Sequence, residues 1–230
     1  MRVLIFCAHA DDEVIGMGGT IRKFANAGAA IRLVMFSAGA EGYVAMEEKD
    51  TIVARRRAEA EAVCGILGIA EYVNLGRLDW DMRVGNELYH AVVHHIRDFK
   101  PDAIFSHFYS DYNDHQAVSK VVQEGWFHAA APCAMIEGDV HPMAPLFEFE
   151  VVHRMPSPSL IVDITDTYPA KVEAMGRYGS QLEHVGGVFQ MMEGRALERG
   201  ALIGVKYGEA FYRNHYRPGP VTDVRQMLGF

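Results

Sequence analysis

Residues 6 to 16 read Phe-Cys-Ala-His-Ala-Asp-Asp-Glu-Val-Ile-Gly, which places His9, Asp11, Asp12 and Glu13 directly after a stretch with the composition of a buried strand. His9 and Asp12 stand three residues apart in a strand-to-helix turn, a spacing that lets an imidazole nitrogen and a carboxylate oxygen aim at one point. Two such groups are two metal ligands, and a catalytic zinc commonly takes three from the protein and keeps a position for water. His115 is the candidate for the third, because it opens a helix after a strand expected beside the first. Asp11 lies next to a ligand but is aimed differently, which suits it to accept a proton from an activated water. A structural alternative stands beside this one. Asp11 or Asp12 would cap the helix, where orphan backbone N–H groups and the positive dipole end favour a carboxylate, and Asp111, Asp114 and His115 would be turn and cap residues.

The elements that must position these groups alternate along the chain. Residues 2 to 8 are continuously apolar, as in a strand covered on both faces, and Gly16 to Ala27 carries helical spacing through Ile21 and Phe24. Ile31 to Ser37 is a second strand, Asp50 to Leu67 a helix ending at Gly68, and Tyr72 to Leu75 a third strand. A helix over Asn86 to Phe99, a strand over Ala103 to Ser106 and a helix from Asp114 to Ala129 follow, then strands at Phe147 to His153 and Leu160 to Val162. From Thr165 onward the pattern is helical, with Lys171, Tyr178 and Gln181 on a helix and a last segment near Gly204 to Tyr212. Such alternation predicts an α/β fold of three layers, a mostly parallel sheet with helices on both faces. Ligands then collect beyond the carboxyl ends of the strands. Three polar clusters lie there, at His9 to Glu13, Ser37 to Tyr43 and His107 to His115.

With 230 residues, 50% of them hydrophobic, the chain is expected to form a single domain over 1–230. Its 30 acids against 22 bases, a formal charge of −8, argue against nucleic acid or an anionic membrane as partner. Cys7, Cys64 and Cys133 are odd in number and set in apolar surroundings, which predicts reduced core thiols and a cytoplasmic setting. No run of residues is long and apolar enough to predict a membrane span. Gly16, Gly18 and Gly19 do not have the spacing of a dinucleotide loop and face acids in the preceding turn, so close helix packing is the expected reason for them. His90, His94 and His95 are read as solvated helix positions, and His107 as a neighbour of the metal ligands. The stretch from Ala130 to Pro145, with Pro132, Gly138, Pro142 and Pro145, is read as a loop or flap.

Taken together, these residues resemble a known family. "AHADDEVIGMGGTI" is similar to the signature of the PIG-L or LmbE-like deacetylases, in which Ala10 replaces the usual Pro. "ARRRAEAEAVCGILGI", "LGRLDW", "SDYNDHQAVSKVV" and "VDITDTYPAKVEAMGRYGSQ" resemble further segments of that family, so the likeness extends over residues 2 to 213. It implies a Rossmann-like fold and zinc-dependent removal of an N-acetyl group from a glucosamine-type sugar, with His9, Asp12 and His115 on Zn2+ or another divalent ion and Asp11 as general base. It also implies substrate contacts by Arg56 and Asp79 and a homo-oligomer, a trimer or hexamer. For Arg56 the alternative is a surface pair with Glu59 three residues on, and for Asp79 a turn. Many relatives carry a His three positions before the last metal His, where this chain has Tyr112. The acid and oxyanion donor are then Tyr112, a proton shuttled by Asp11, or His184. The structural alternatives are a buried Tyr with a satisfied hydroxyl and a surface His.

Two other functions compete with an N-deacetylase. One is a metal-dependent hydratase or lyase acting on a carboxylate, and the other a metal-free nucleotide-binding module. Specificity is expected to come from Ser37 to Tyr43, the stretch after Ala130 and the C-terminal helices.

Overall fold

The computed structural model describes residues 1–132 and 136–215, so Cys133 lies outside the described residues. An interior strand of its sheet is β1, Arg2–Cys7, in which Val3 through Cys7 are fully buried. The period of two in a strand sends these side chains to opposite faces. Val3, Ile5 and Cys7 enter a core with Val14, Ile21 and Val63, whereas Leu4 and Phe6 enter a second core with Val92, Ile96 and Val122. The continuous apolar run is thus the record of two helical layers around one strand.

The first core is roofed by α1, Asp12–Asn26, and α2, Ile52–Leu67, and the second by α3, Asn86–Phe99, and α4, Asn113–Ala129. The remaining strands are β2, Ala30–Ser37; β3, Glu71–Arg77; β4, Ala103–His107; β5, Leu146–Phe149; β6, Leu160–Asp163; and β7, Gly208–Arg213. Their order is β3-β2-β1-β4-β5-β7-β6, parallel from β3 through β5, with β7 antiparallel to both β5 and β6. This is the mostly parallel α/β sheet expected. Because β2 and β4 flank β1 on opposite sides, the chain reverses direction across the sheet there, and a crevice opens beyond the carboxyl ends of β1 and β4.

Helix α1 is broken at Met17, whose φ is −150°. Around the break a Cβ on Gly16 would collide with the Phe149 ring, and one on Gly19 would lie 2.7 Å from Ile164. These glycines face the protein interior and serve close packing, as expected.

Several segments differ from the sequence reading. Strand β5 stops at Phe149 rather than His153, because the amides of Val151, Val152 and His153 turn to the Asp111 carboxylate. The region after Thr165 forms three helices, α5, Tyr168–Met175, α6, Gly179–Leu182, and α7, Val188–Ile203. Lys171 is on α5 and Gln181 on α6, with Tyr178 at the joint between them, and the last segment is strand β7. His95 is buried on α3, not solvated. Pro145 immediately precedes β5 and His141 bonds the carbonyl of Pro101 before β4. The Pro-rich stretch therefore flanks the amino ends of the strands and, in its described residues, does not line the crevice. Among the described residues no helix is long and apolar enough to cross a membrane.

Candidate active site

His9 follows β1 and His115 lies in the first turn of α4, after β4, so the two neighbouring strands deliver both imidazoles to one end of the sheet. His9 Nδ1 is 3.3 Å from His115 Nε2, Asp12 Oδ1 is 3.1 Å from His115 Nε2, and Asp12 Oδ2 is 3.7 Å from His9 Nδ1. Ligands ~2.0–2.1 Å from a tetrahedral zinc are about 3.3 Å apart, so two imidazole lone pairs and a carboxylate at these separations fit a divalent ion of that size. Asp12 makes no cap bond to its helix. It accepts instead from the backbone N–H of His9 at 2.7 Å, which locks the turn.

Each histidine is held from behind. His9 Nε2 donates to Asp114 Oδ2 at 3.1 Å, which leaves Nδ1 as the lone pair facing His115. His115 Nδ1 is 3.3 Å from Asp111 Oδ2. Asp111 also accepts the amides of Tyr112, Val151, Val152 and His153. Burial opposes ionisation of Asp111, but His115 and these amides outweigh it and hold the carboxyl down to about 2. His107 stacks on His115 with ring centroids 4.0 Å apart, accepts the Ala8 N–H on Nε2 at 2.9 Å, and is pushed down to about 4, chiefly by burial. Burial also opposes charge on His115, yet Asp12 and Asp111 raise it to about 10. Positive charge is therefore favoured where the three donors converge. Asp111 and Asp114, turn and cap residues in the structural alternative, instead back the two imidazoles. Their signal in the sequence is position, four residues and one residue before His115.

Asp11 lies at φ 123°, a left-handed conformation that costs a residue with a side chain free energy. The strain is held by fully buried Glu13, which accepts the Asp11 N–H on Oε2 at 3.3 Å and the Tyr178 hydroxyl on Oε1 at 2.5 Å. The Asp11 carboxylate makes no cap bond and lines the cleft. Burial and then the Asp12 charge push it up to about 8, against the pull of Arg56.

The cleft over these groups has a volume of about 430 Å³. Arg56, Asp79, Tyr112 and His184 all line it, with Gln181 of α6 and Val151 and Val152 after β5. Arg56 is buried, donates to the Ala10 carbonyl at 3.3 Å, and fits so tightly beside Gly39 that a Cβ there would lie 2.6 Å from it. The surface pair with Glu59 does not form, because Glu59 binds Arg55 and Ser180. Asp79 accepts from the Ser37 hydroxyl and from the Glu41 N–H, tying the loop after β2 to the turn after β3. Tyr112 is 38% exposed, not buried, with its ring 4.4 Å from that of His115. His184 is exposed at the cleft wall.

A doubly wound α/β sheet with a His-Asp-His cluster and a second carboxylate at its switch point defines the class: a domain whose strand ends carry a group that could hold a metal ion. The family model described as PIG-L: GlcNAc-PI de-N-acetylase matches residues 4–126, and the chain belongs to that family. A 1D-myo-inositol 2-acetamido-2-deoxy-alpha-D-glucopyranoside deacetylase of Thermobispora bispora is 37% identical over 83 residues, 33% of this chain and 28% of the relative, so the match spans under a third of that protein. The 4-oxalmesaconate hydratase of Pseudomonas putida is 29% identical over 92% of this chain and 84% of its own. Among solved structures, the N,N'-diacetylchitobiose deacetylase of Pyrococcus horikoshii superimposes with a TM-score of 0.84 at 25% identity, over 97% of this chain and 88% of that one.

Proposed function

We propose that the chain, acting as one domain over residues 1–230, is a metal-dependent N-deacetylase that removes the acetyl group from a glucosamine-type sugar or its conjugate. The observation that carries this reading is the convergence of His9, Asp12 and His115 within 4.8 Å of one another beneath a cleft that the Asp11 carboxylate also lines. Zinc is the ion this donor set suits, and its chemistry there would be Lewis acidity toward the acyl oxygen and activation of a water. Asp11 takes the proton of the attacking water. Tyr112, at the cleft edge, donates a hydrogen bond to the oxygen that gains charge as the acyl carbon becomes tetrahedral. His184 passes a proton to the leaving amine, and Arg56 and Asp79 hold the sugar. The substrate is a small molecule rather than nucleic acid or a membrane. The free, buried Cys7 and Cys64 support a cytoplasmic setting, and a homo-oligomer, trimer or hexamer, is the assembly we propose.

The test is acetate and amine release from a panel of N-acetylated sugars by zinc-loaded protein, with Asp11→Asn as the control. A hydratase acting on an unsaturated carboxylate is the second reading, favoured by the resemblance over 92% of the chain and by the buried Arg56 guanidinium that lines the cleft. Loss of substrate absorbance without acetate would select it.

A further inference from the structure

We infer that Trp80 is the platform on which the ring beside the N-acetylated sugar stacks, and so the residue of this chain that sets its preference for a glycoside over a free amino sugar. The inference rests on the deacetylase reading above. Trp80 lines the cleft yet is 72% exposed, the most exposed large apolar side chain among the described residues. An indole left in water is unfavourable unless something covers it.

Its backbone is built rather than accidental. Trp80 has φ 63°, the left-handed region a bulky residue avoids, and the Trp80 N–H donates to Asp114 Oδ2 at 2.9 Å. The same oxygen accepts from His9 Nε2. One carboxylate therefore fixes both the imidazole that faces the metal position and the turn that presents the indole. On the other side Asp79 is tied to Ser37 and Glu41, so the residue preceding Trp80 is anchored as well.

Depth separates the two subsites. The acetamide must reach donors whose side chains are 12% exposed or less, at His9, Asp12 and His115, whereas the indole stands at the mouth. A ring lying on Trp80 is thus a neighbour of the ring that carries the acetamide. The flat apolar face of an indole matches the C–H face of a pyranose, while polar groups at the cleft floor take the hydroxyls.

The test compares wild type with Trp80→Ala and Trp80→Phe on N-acetylglucosamine and N,N'-diacetylchitobiose. Trp80→Ala is expected to lower the ratio of kcat/KM for the disaccharide over the monosaccharide by about tenfold, mostly through KM, and Trp80→Phe to restore most of it. Calorimetric titration of the metal-free protein with chitobiose should show a Kd about tenfold weaker in the alanine variant. Thermal melting checks that the variants are folded. An unchanged ratio, or binding that is equal in the two proteins or absent from both, overturns the platform. If neither sugar yields acetate but chitobiose binding still depends on Trp80, the deacetylase reading fails and the platform stands.

Discussion

Lys171 Nζ lies 2.6 Å from Glu209 Oε1, and this buried ion pair spans the break in α1. Lys171 also donates to the Ile15 carbonyl at 2.9 Å, while Glu209 accepts the Gly19 and Thr20 N–H groups at 3.0 and 2.7 Å. The lysine satisfies the end of the first half-helix and the glutamate caps the start of the second, and that first half begins with Asp12 and Glu13. Breaking a buried pair on one side leaves a charge without compensation. Lys171→Met should therefore cost about 3–5 kcal/mol in urea unfolding. Lys171→Met with Glu209→Gln should cost less than the single change, since the amide is neutral and still offers an acceptor to the α1 backbone.

Metal content should separate ligands from base. Protein purified without added zinc is expected to carry the ion, and His9→Ala and His115→Ala to carry close to none. Asp11→Asn should keep the metal and lose acetate release by a hundredfold or more, within the roughly 10²–10⁴-fold range of a general base. Elemental analysis beside a rate assay reads both.

Much of this arrangement was legible from local pattern. The unbroken apolar run of β1 encodes two covering layers, and His9, Asp12 and His115 stand at strand ends where an open parallel sheet exposes its functional groups. What was not legible depends on partners distant in sequence. Helical spacing offers Glu59 as one partner for Arg56, but Glu59 is taken by Ser180, 121 residues away, and Arg56 lines the cleft. The β-favouring composition that predicts a strand to His153 continues through Val151 and Val152, but β5 ends at Phe149 because those amides are drawn off by Asp111. Local propensity loses wherever a buried carboxylate from another segment offers the backbone better partners.

Asp114 should matter to metal binding without touching the ion. Its carboxylate fixes the tautomer and angle of His9 through a 3.1 Å bond. Asp114→Ala is expected to weaken zinc affinity by roughly 10–100-fold, as loss of a carboxylate behind a ligand histidine commonly does. Competition with a chromophoric chelator measures it, and a fold check by circular dichroism separates the effect from unfolding.

His95 gives the fold a pH dependence outside the site. Burial, then His94 and Arg32, lower its pKa to about 4. Between pH ~6.5 and ~4 the unfolded chain binds a proton that the folded chain refuses, so stability falls as pH drops through this window and the loss is complete below it. Replacing His95 with Leu should flatten that acid limb by about 2 kcal/mol or less, measured as urea midpoints at pH 7.0 and pH 4.5.

Tyr112 and His184 are distinguished by the step proposed for each. A hydroxyl that stabilises charge on the acyl oxygen acts whatever amine departs, so Tyr112→Phe should slow hydrolysis of alkyl and aryl amides alike, by about a hundredfold, while zinc is retained. A histidine that protonates the leaving nitrogen matters most when that nitrogen is basic. His184→Ala should therefore be slow on an N-acetyl amino sugar but recover on an acetanilide, whose aniline leaves with less help. Equal losses on both substrates for His184→Ala would move the acid role back to Asp11, which also lines the cleft.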